Sequence, residues 1–221
     1  MGLNGVGKTT LFNTIAQLNR ADSGKINMMD APVDSYEPKQ LAKKLGYLLQ
    51  SLSYEFPQTV EEFCINGLYP HINRWEMVSD KHKESIRQAL KLTGLNGFEK
   101  RLIHTLSGGE KRRLEICGLL IQNPLIWLLD EPVNHLDLHR QIQMMDILMK
   151  SARKNNGSTI SILHDPNLVS RYCSHVLMLT GEGQYKSGDI QTLFDEDNLS
   201  ALFKHNIKAI KHEDKTFFLA E

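Results

Sequence analysis

The sequence predicts an α/β fold: a mostly parallel β-sheet layered with helices, into which a separate helical lobe is inserted. Three observations carry this. Residues 2–9 read G-L-N-G-V-G-K-T, a phosphate-binding loop of the kind that opens a helix after a strand. Leu125-Ile126-Trp127-Leu128-Leu129 is an unbroken apolar run, the pattern of a strand buried on both faces. Between them, Val60, Phe63, Ile65, Ile86, Ala89, Leu90 and Leu92 follow a mostly helical pattern, with no strand of comparable strength up to about residue 95.

Each element follows in order. After the loop, Leu11, Ile15 and Leu18 share one helical face, and the start of that helix faces the phosphates, where its free amides and dipole favour an anion. Asp22-Ser23-Gly24 is a turn leading to a short strand at residues 25–28. A helix at residues 38–44 precedes a buried strand at 45–49 that ends at Gln50. After the helical stretch the sheet returns at residues 125–129, closed by Asp130-Glu131. A helix at 141–154 stops near Asn155-Asn156-Gly157. Strands at 159–163 and 176–179 come next, then turns at 181–183 and at Gly188-Asp189-Ile190. Residues 193–221 mix helix-like pieces with charges, and no repeat or low-complexity stretch is present. The predicted organisation is one domain, 1–221. Its core comprises residues 1–54 and 124–180, its helical lobe residues 55–123, and its C-terminal extension residues 181–221.

Composition narrows the function classes. Lysine plus arginine equal aspartate plus glutamate at 26 each, so no basic field points to nucleic acid, and none is expected as a partner. No apolar run approaches the roughly 18 residues of a membrane span, and the first residues lack the pattern of a signal peptide. Three widely spaced cysteines, Cys64, Cys117 and Cys173, fit free thiols in a reducing compartment better than disulfides or a zinc site. These traits predict a soluble, cytosolic protein.

The motifs supply the chemistry. In the loop, Asn4, Gly5, Gly7, Lys8, Thr9 and Thr10 form a nucleoside triphosphate site: glycines let backbone amides curl around phosphates, and Lys8 reaches the β/γ oxygens. Asp130-Glu131 alone could simply end a core strand. Downstream of such a loop, Asp130 stands where Mg²⁺ is held, and Glu131 is placed to take a proton from an attacking water. Ser107-x-x-Glu110 is a capping box, and with Gly108 and Gly109 it is also a second phosphate receptor. Lys111, Arg112 and Arg113 read as a solvated face. Gln50 and His164 each end a strand, as the acid pair does; an amide oxygen at Gln50 can bind magnesium or hold a water.

In this order the motifs resemble the ATP-binding subunit of an ABC transporter. Walker A covers residues 2–9, the Q-loop falls at Gln50 and the signature L-S-G-G-E at 106–110. Walker B ends at Asp130-Glu131, the D-loop is Asn134-His135-Leu136-Asp137, and the switch histidine is His164. The resemblance implies a RecA-like P-loop NTPase core with the helical lobe peculiar to this family. Further motifs, Phe56-Pro57-Gln58-Thr59-Val60, Tyr69-Pro70-His71 and His164-Asp165, resemble importers of ferric siderophores, haem and cobalamin.

The implied mechanism is ATP-driven closure of two copies, head to tail, each ATP lying between one copy's loop and the other's Ser107, Gly108 and Gly109. Thr9, Gln50 and Asp130 are implied to hold Mg²⁺, and Glu131, His164 and Gln50 to act in hydrolysis. The further implied partners are a transmembrane permease docked on the helical lobe and, indirectly, a substrate-binding protein. The implied location is cytoplasmic, peripheral on the inner face of the cell membrane. A soluble ABC-type ATPase of cofactor assembly is the rival reading; DNA-repair types carry a long coiled coil, and no sustained heptads occur here.

The sequence departs from the family at Glu110, Val133 and Pro166, where glutamine, threonine and leucine are usual. The family's first strands and an adenine-stacking aromatic residue precede the loop and are not among these residues. The expectation is therefore of a truncated chain, unstable and poor at binding ATP, and at the extreme an inactive remnant.

Overall fold

The computed structural model describes residues 1–73, 75–213 and 215–221. They form two compact units: Ile15–Ser161, and Met1–Thr14 with Ile162–Glu221. The smaller unit begins with the glycine-rich loop and α1 (Lys8–Ile15), which buries Lys8 and Phe12. Leu11 and Leu18 are exposed, so the inward face is not the predicted one. The reason is local. The Lys8 ammonium turns into its own loop and carries Phe12, one turn on, inward with it, while Gln17 at φ +60° ends the helix before Leu18.

In the larger unit, β1 (Asn27–Met28) and β2 (Ala31–Pro32) pair antiparallel across Met29 and Asp30, both at positive φ. Only the first of these strands was predicted. Next come α2 (Pro38–Lys44) and β3 (Leu45–Leu48), then the helices α3 (Val60–Asn66), α4 (Asp80–Leu92) and α5 (Gly108–Gln122). They are followed by β4 (Ile126–Asp130), α6 (Leu138–Lys154) and β5 (Ser158–Ile162). The sheet order is β3-β4-β5, and β3 runs parallel to β4 with Tyr47 opposite Leu128.

The central strand explains its own composition. Trp127, Leu128 and Leu129 are wholly buried, so both faces of β4 are covered and polar alternation is lost. On the next strand, Gly46 has no room for a side chain: a Cβ would lie 2.5 Å from Leu119 Cδ1 and 2.6 Å from Pro124 Cγ. That absence lets α5 press close to the sheet.

Helices α3, α4 and α5 pack around Val60, Leu90, Leu95, Ile103, Leu114 and their neighbours. All three start with a reciprocal capping box: Thr59 with Glu62, Ser79 with His82, and Ser107 with Glu110. Inside this core the free thiols of Cys64 and Cys117 bring their sulfurs to 3.7 Å.

The smaller unit resumes with α7 (Pro166–Tyr172), β6 (His175–Gly181) and β7 (Gln184–Asp189). The last two form a hairpin turned by Glu182 and Gly183 at positive φ. Gly188 and Asp189, expected in a further turn, instead pair with Val176 and His175 as the end of β7. Then follow α8 (Ile190–Leu193), α9 (Glu196–Phe203), β8 (Ile207–His212) and β9 (Lys215–Ala220), the last two an antiparallel hairpin that the sequence did not reveal. Both Asn167 side-chain groups bond the backbone of Phe218, tying this hairpin to α7. Met1 and Gly2 run parallel to β6: Leu179 N–H donates to Met1 O at 2.9 Å. Gly2 is at φ +152°, and a Cβ there would meet Leu179 O at 2.5 Å, so only glycine fits. Among the described residues no helix is long and apolar enough to cross a membrane.

Candidate functional site

The phosphate loop is shaped by its own residues. Gly5 and Gly7 sit at φ +82° and +92° with open space around them, so glycine is required there by backbone conformation and not by crowding. The buried Lys8 ammonium donates to Gly2 O at 2.9 Å and Leu3 O at 2.8 Å, closing the loop over its cation. Asn4, Gly5, Gly7, Thr9 and Thr10 are exposed around it. The first turn of α1 carries no acidic residue to offset the positive end of the helix. In the same unit His164 is half-buried, and the next residue, Asp165, caps α7 by accepting from Asn167 N–H at 2.8 Å.

The larger unit assembles the remaining residues. Gln50 is exposed just beyond β3. Asp130, at the end of β4, is fully buried and accepts a hydrogen bond from the Tyr47 hydroxyl. Tyr47 opposes Leu128, so Asp130 is its diagonal neighbour on the same face of the sheet, within reach of an aromatic side chain. Burial first, and then the Asp130 carboxylate, pushes the Tyr47 phenol well above its ordinary range, so it remains a donor. Glu131 turns away from the strand at φ +48°, and its carboxylate accepts from the Asn134 side-chain amide.

Among the described residues no group of three His, Cys, Asp or Glu forms a preformed metal cage. One buried carboxylate is nevertheless a donor that Mg²⁺ takes alongside phosphates and water, so Asp130 fits that ion.

The capping box at Ser107 is present as read. Ser107 Oγ accepts from Glu110 N–H at 3.2 Å, and Glu110 Oε2 accepts from Ser107 N–H at 2.8 Å. The backbone bond from Ser107 holds the Glu110 carboxyl below its usual range, with Arg101 and Arg113 adding to it. Ser107 and Gly108 are exposed at this helix start. A Cβ on Gly109 would stand 3.3 Å from His135 O and 3.5 Å from Leu136 Cδ2, so the signature start packs on the Asn134-to-Asp137 segment.

The basic run is not a solvated face. Arg112 is buried among carbonyls from the ends of β3 and β4, and Arg113 donates to Thr93 O and Gly94 O at the end of α4. Helical spacing held the clue for Arg112: Ile116 and Leu119, four and seven residues on, are buried. No pattern in the sequence pointed to Tyr47. The structure thus gathers Leu49, next to Gln50, with Asp130 and Glu131 around one side chain. It also joins residues 107–110 to 134–137, while the phosphate loop and His164 belong to the other unit.

The ABC transporter family profile matches residues 1–134, more than half of the chain. An uncharacterised ABC transporter ATP-binding protein of Methanocaldococcus jannaschii is 35% identical over 92% of this chain and 78% of its own length. The petrobactin import ATP-binding protein of Bacillus anthracis is 31% identical over 92% of this chain and 75% of its own. A solved metal-chelate type ABC transporter in an inward-facing conformation superposes with a TM-score of 0.82 at 26% identity, covering 100% of this chain and 84% of that one. The chain belongs to the ABC transporter family, as one of its ATP-binding, ATP-hydrolysing subunits.

Proposed function

We propose that this chain powers a membrane importer of a metal chelate of the iron–siderophore class, closing as a head-to-tail pair around ATP. The observation that carries the reading is a closed phosphate loop, a strand-end acid pair whose Asp130 is fully buried and an exposed, capped glycine helix start in one chain. Its relatives include a named petrobactin importer. Lys8 and the amides of Asn4, Gly5, Gly7, Thr9 and Thr10 hold the phosphates. Thr9, Gln50 and Asp130 would hold Mg²⁺, which when bound neutralises charge on the β- and γ-oxygens. Glu131 accepts the proton of the attacking water, and His164 steadies the γ-phosphate. Ser107, Gly108 and Gly109 receive the ATP of the second copy. Catalysis on this reading is positioning and charge stabilisation.

A groove of about 400 Å³ bounded by Lys39, Asn66, Tyr69, Pro70 and Gln122 supports docking of a permease helix. Exposed Tyr69, Phe56 and Met77 offer apolar area in the same unit. The protein then works at the cytoplasmic face of the membrane, below a permease served by a substrate-binding protein. Proteoliposomes with a metal-chelate permease test this. ATP-dependent uptake of a ferric siderophore that stops with Glu131→Gln is expected; uptake that continues unchanged with that variant would overturn the reading.

A further inference from the structure

We propose that Arg112 is a positioning residue for hydrolysis, fixing the turn that carries Glu131 and tying it to the backbone just before Gln50. The inference rests on the reading of Glu131 as the group that accepts the proton of water.

A guanidinium carries five N–H donors in a rigid fork, and here each one finds an oxygen. Nε donates to Pro132 O at 3.0 Å. Nη2 donates to Asp130 O at 2.7 Å and to Glu131 O at 2.9 Å. Nη1 donates to Leu49 O at 2.7 Å and to Glu115 Oε2 at 2.6 Å. Both charged partners are nearly sealed from solvent, at 4% and 8% exposure, so the cation is neutralised where it is buried. The other oxygen of Glu115 accepts from the Tyr54 hydroxyl at 2.9 Å. Leu49 directly precedes Gln50 and Tyr54 follows it by four residues, so the chain on either side of Gln50 meets one ion pair.

Such a clamp is needed at this turn. Glu131 holds a left-handed backbone that is unfavourable for a non-glycine residue, so the turn must be held from outside. Three successive carbonyls, from Asp130 to Pro132, converge on the Arg112 guanidinium and supply that restraint. Arg112 also rides on α5, whose exposed start at Ser107 lies five residues earlier. One rigid helix therefore joins the ATP-facing end of α5, the Leu49 carbonyl beside Gln50 and the Glu131 turn.

The test measures Mg-ATP turnover, nucleotide affinity and thermal melting of the full chain with Arg112→Gln, Arg112→Lys and Glu131→Gln, singly and combined. With Arg112→Gln, kcat should fall about 10- to 100-fold while ATP affinity stays within about threefold, as when a reacting group is misplaced by an ångström. Arg112→Lys, which keeps the charge but only three donors, should fall between this and wild type. Added to Glu131→Gln, Arg112→Gln should cost nothing further, because the two act as a unit. A merely structural role would instead lower the melting temperature and the active fraction and leave kcat per folded chain unchanged, whereas an effect on turnover independent of Glu131 would multiply the Glu131→Gln loss. Either additivity or a wild-type kcat overturns the proposal. Wild-type turnover in Arg112→Gln beside an inactive Glu131→Gln removes Arg112 alone. Wild-type turnover in Glu131→Gln removes the reading of Glu131 and this inference together. If Arg112→Gln does not melt cooperatively, Arg112→Lys carries the same comparison.

Discussion

The phosphate loop and the Asp130–Glu131 turn both hold backbone at positive φ and are both assigned to the proposed nucleotide chemistry, yet they are held in opposite ways. The loop is clamped by its own Lys8, whose partners Gly2 and Leu3 lie six and five residues away. The turn is clamped by Arg112, whose partners among residues 130–132 lie 18 to 20 residues away on another element. A self-clamped loop can be recognised as a short string. A turn clamped from a distance takes its shape from the fold, and its restraint travels wherever α5 travels.

Substitutions can break or sharpen that contrast. The largest effect is expected at the turn: Glu131→Gln should lower turnover by roughly 10²–10⁴-fold with ATP affinity retained, measured by steady-state hydrolysis and nucleotide titration. Lys8→Met should do the reverse and weaken binding itself, by about 2–5 kcal/mol, because it removes a buried cation from phosphates and from two carbonyls. If Lys8→Met binds ATP normally and loses only turnover, the two regions are not functionally distinct.

Ser107→Ala should cost about 1 kcal/mol of melting stability through the lost cap. Ser107→Arg should in addition block ATP-driven pairing of two copies, followed by light scattering. Pairing at the intact site of a mixed dimer, Ser107→Arg with Lys8→Ala, should survive; its loss would break the assignment across copies. The smallest effect is in pH. The Glu110 carboxyl is held below its usual 4.5 in the fold, so its stabilisation is complete above about pH 4.5 and fades as acid protonates it. Glu110→Gln should flatten that part of an acid melting profile.

What was legible follows from the same contrast. Strand β4 was plain because burial on both faces leaves a continuous apolar run. The Ser107 capping box was plain because its partners lie three residues apart. The phosphate loop was plain because few structural needs demand three glycines and a lysine so spaced. The face of α1 was misread because a charged lysine, and not a leucine, turns inward. Arg112 was placed on the surface because charge is weighed before partners, and its partners come from β3 and β4. Strands β8 and β9 were invisible because few of their residues are buried, leaving no alternation to read.

The two thiols at the centre of the helical cluster give the protein an internal clock. The hydrogen bond with the Cys117 sulfur, and then burial, push the Cys64 thiol well above its ordinary range, so in the closed fold it offers almost no thiolate for attack. Cys173, in the other unit, is less enclosed. An alkylating reagent should therefore mark Cys173 first and reach Cys64 and Cys117 only when α3 and α5 part. The lag between the two marks then times the opening of the helical cluster, with no label added to the chain.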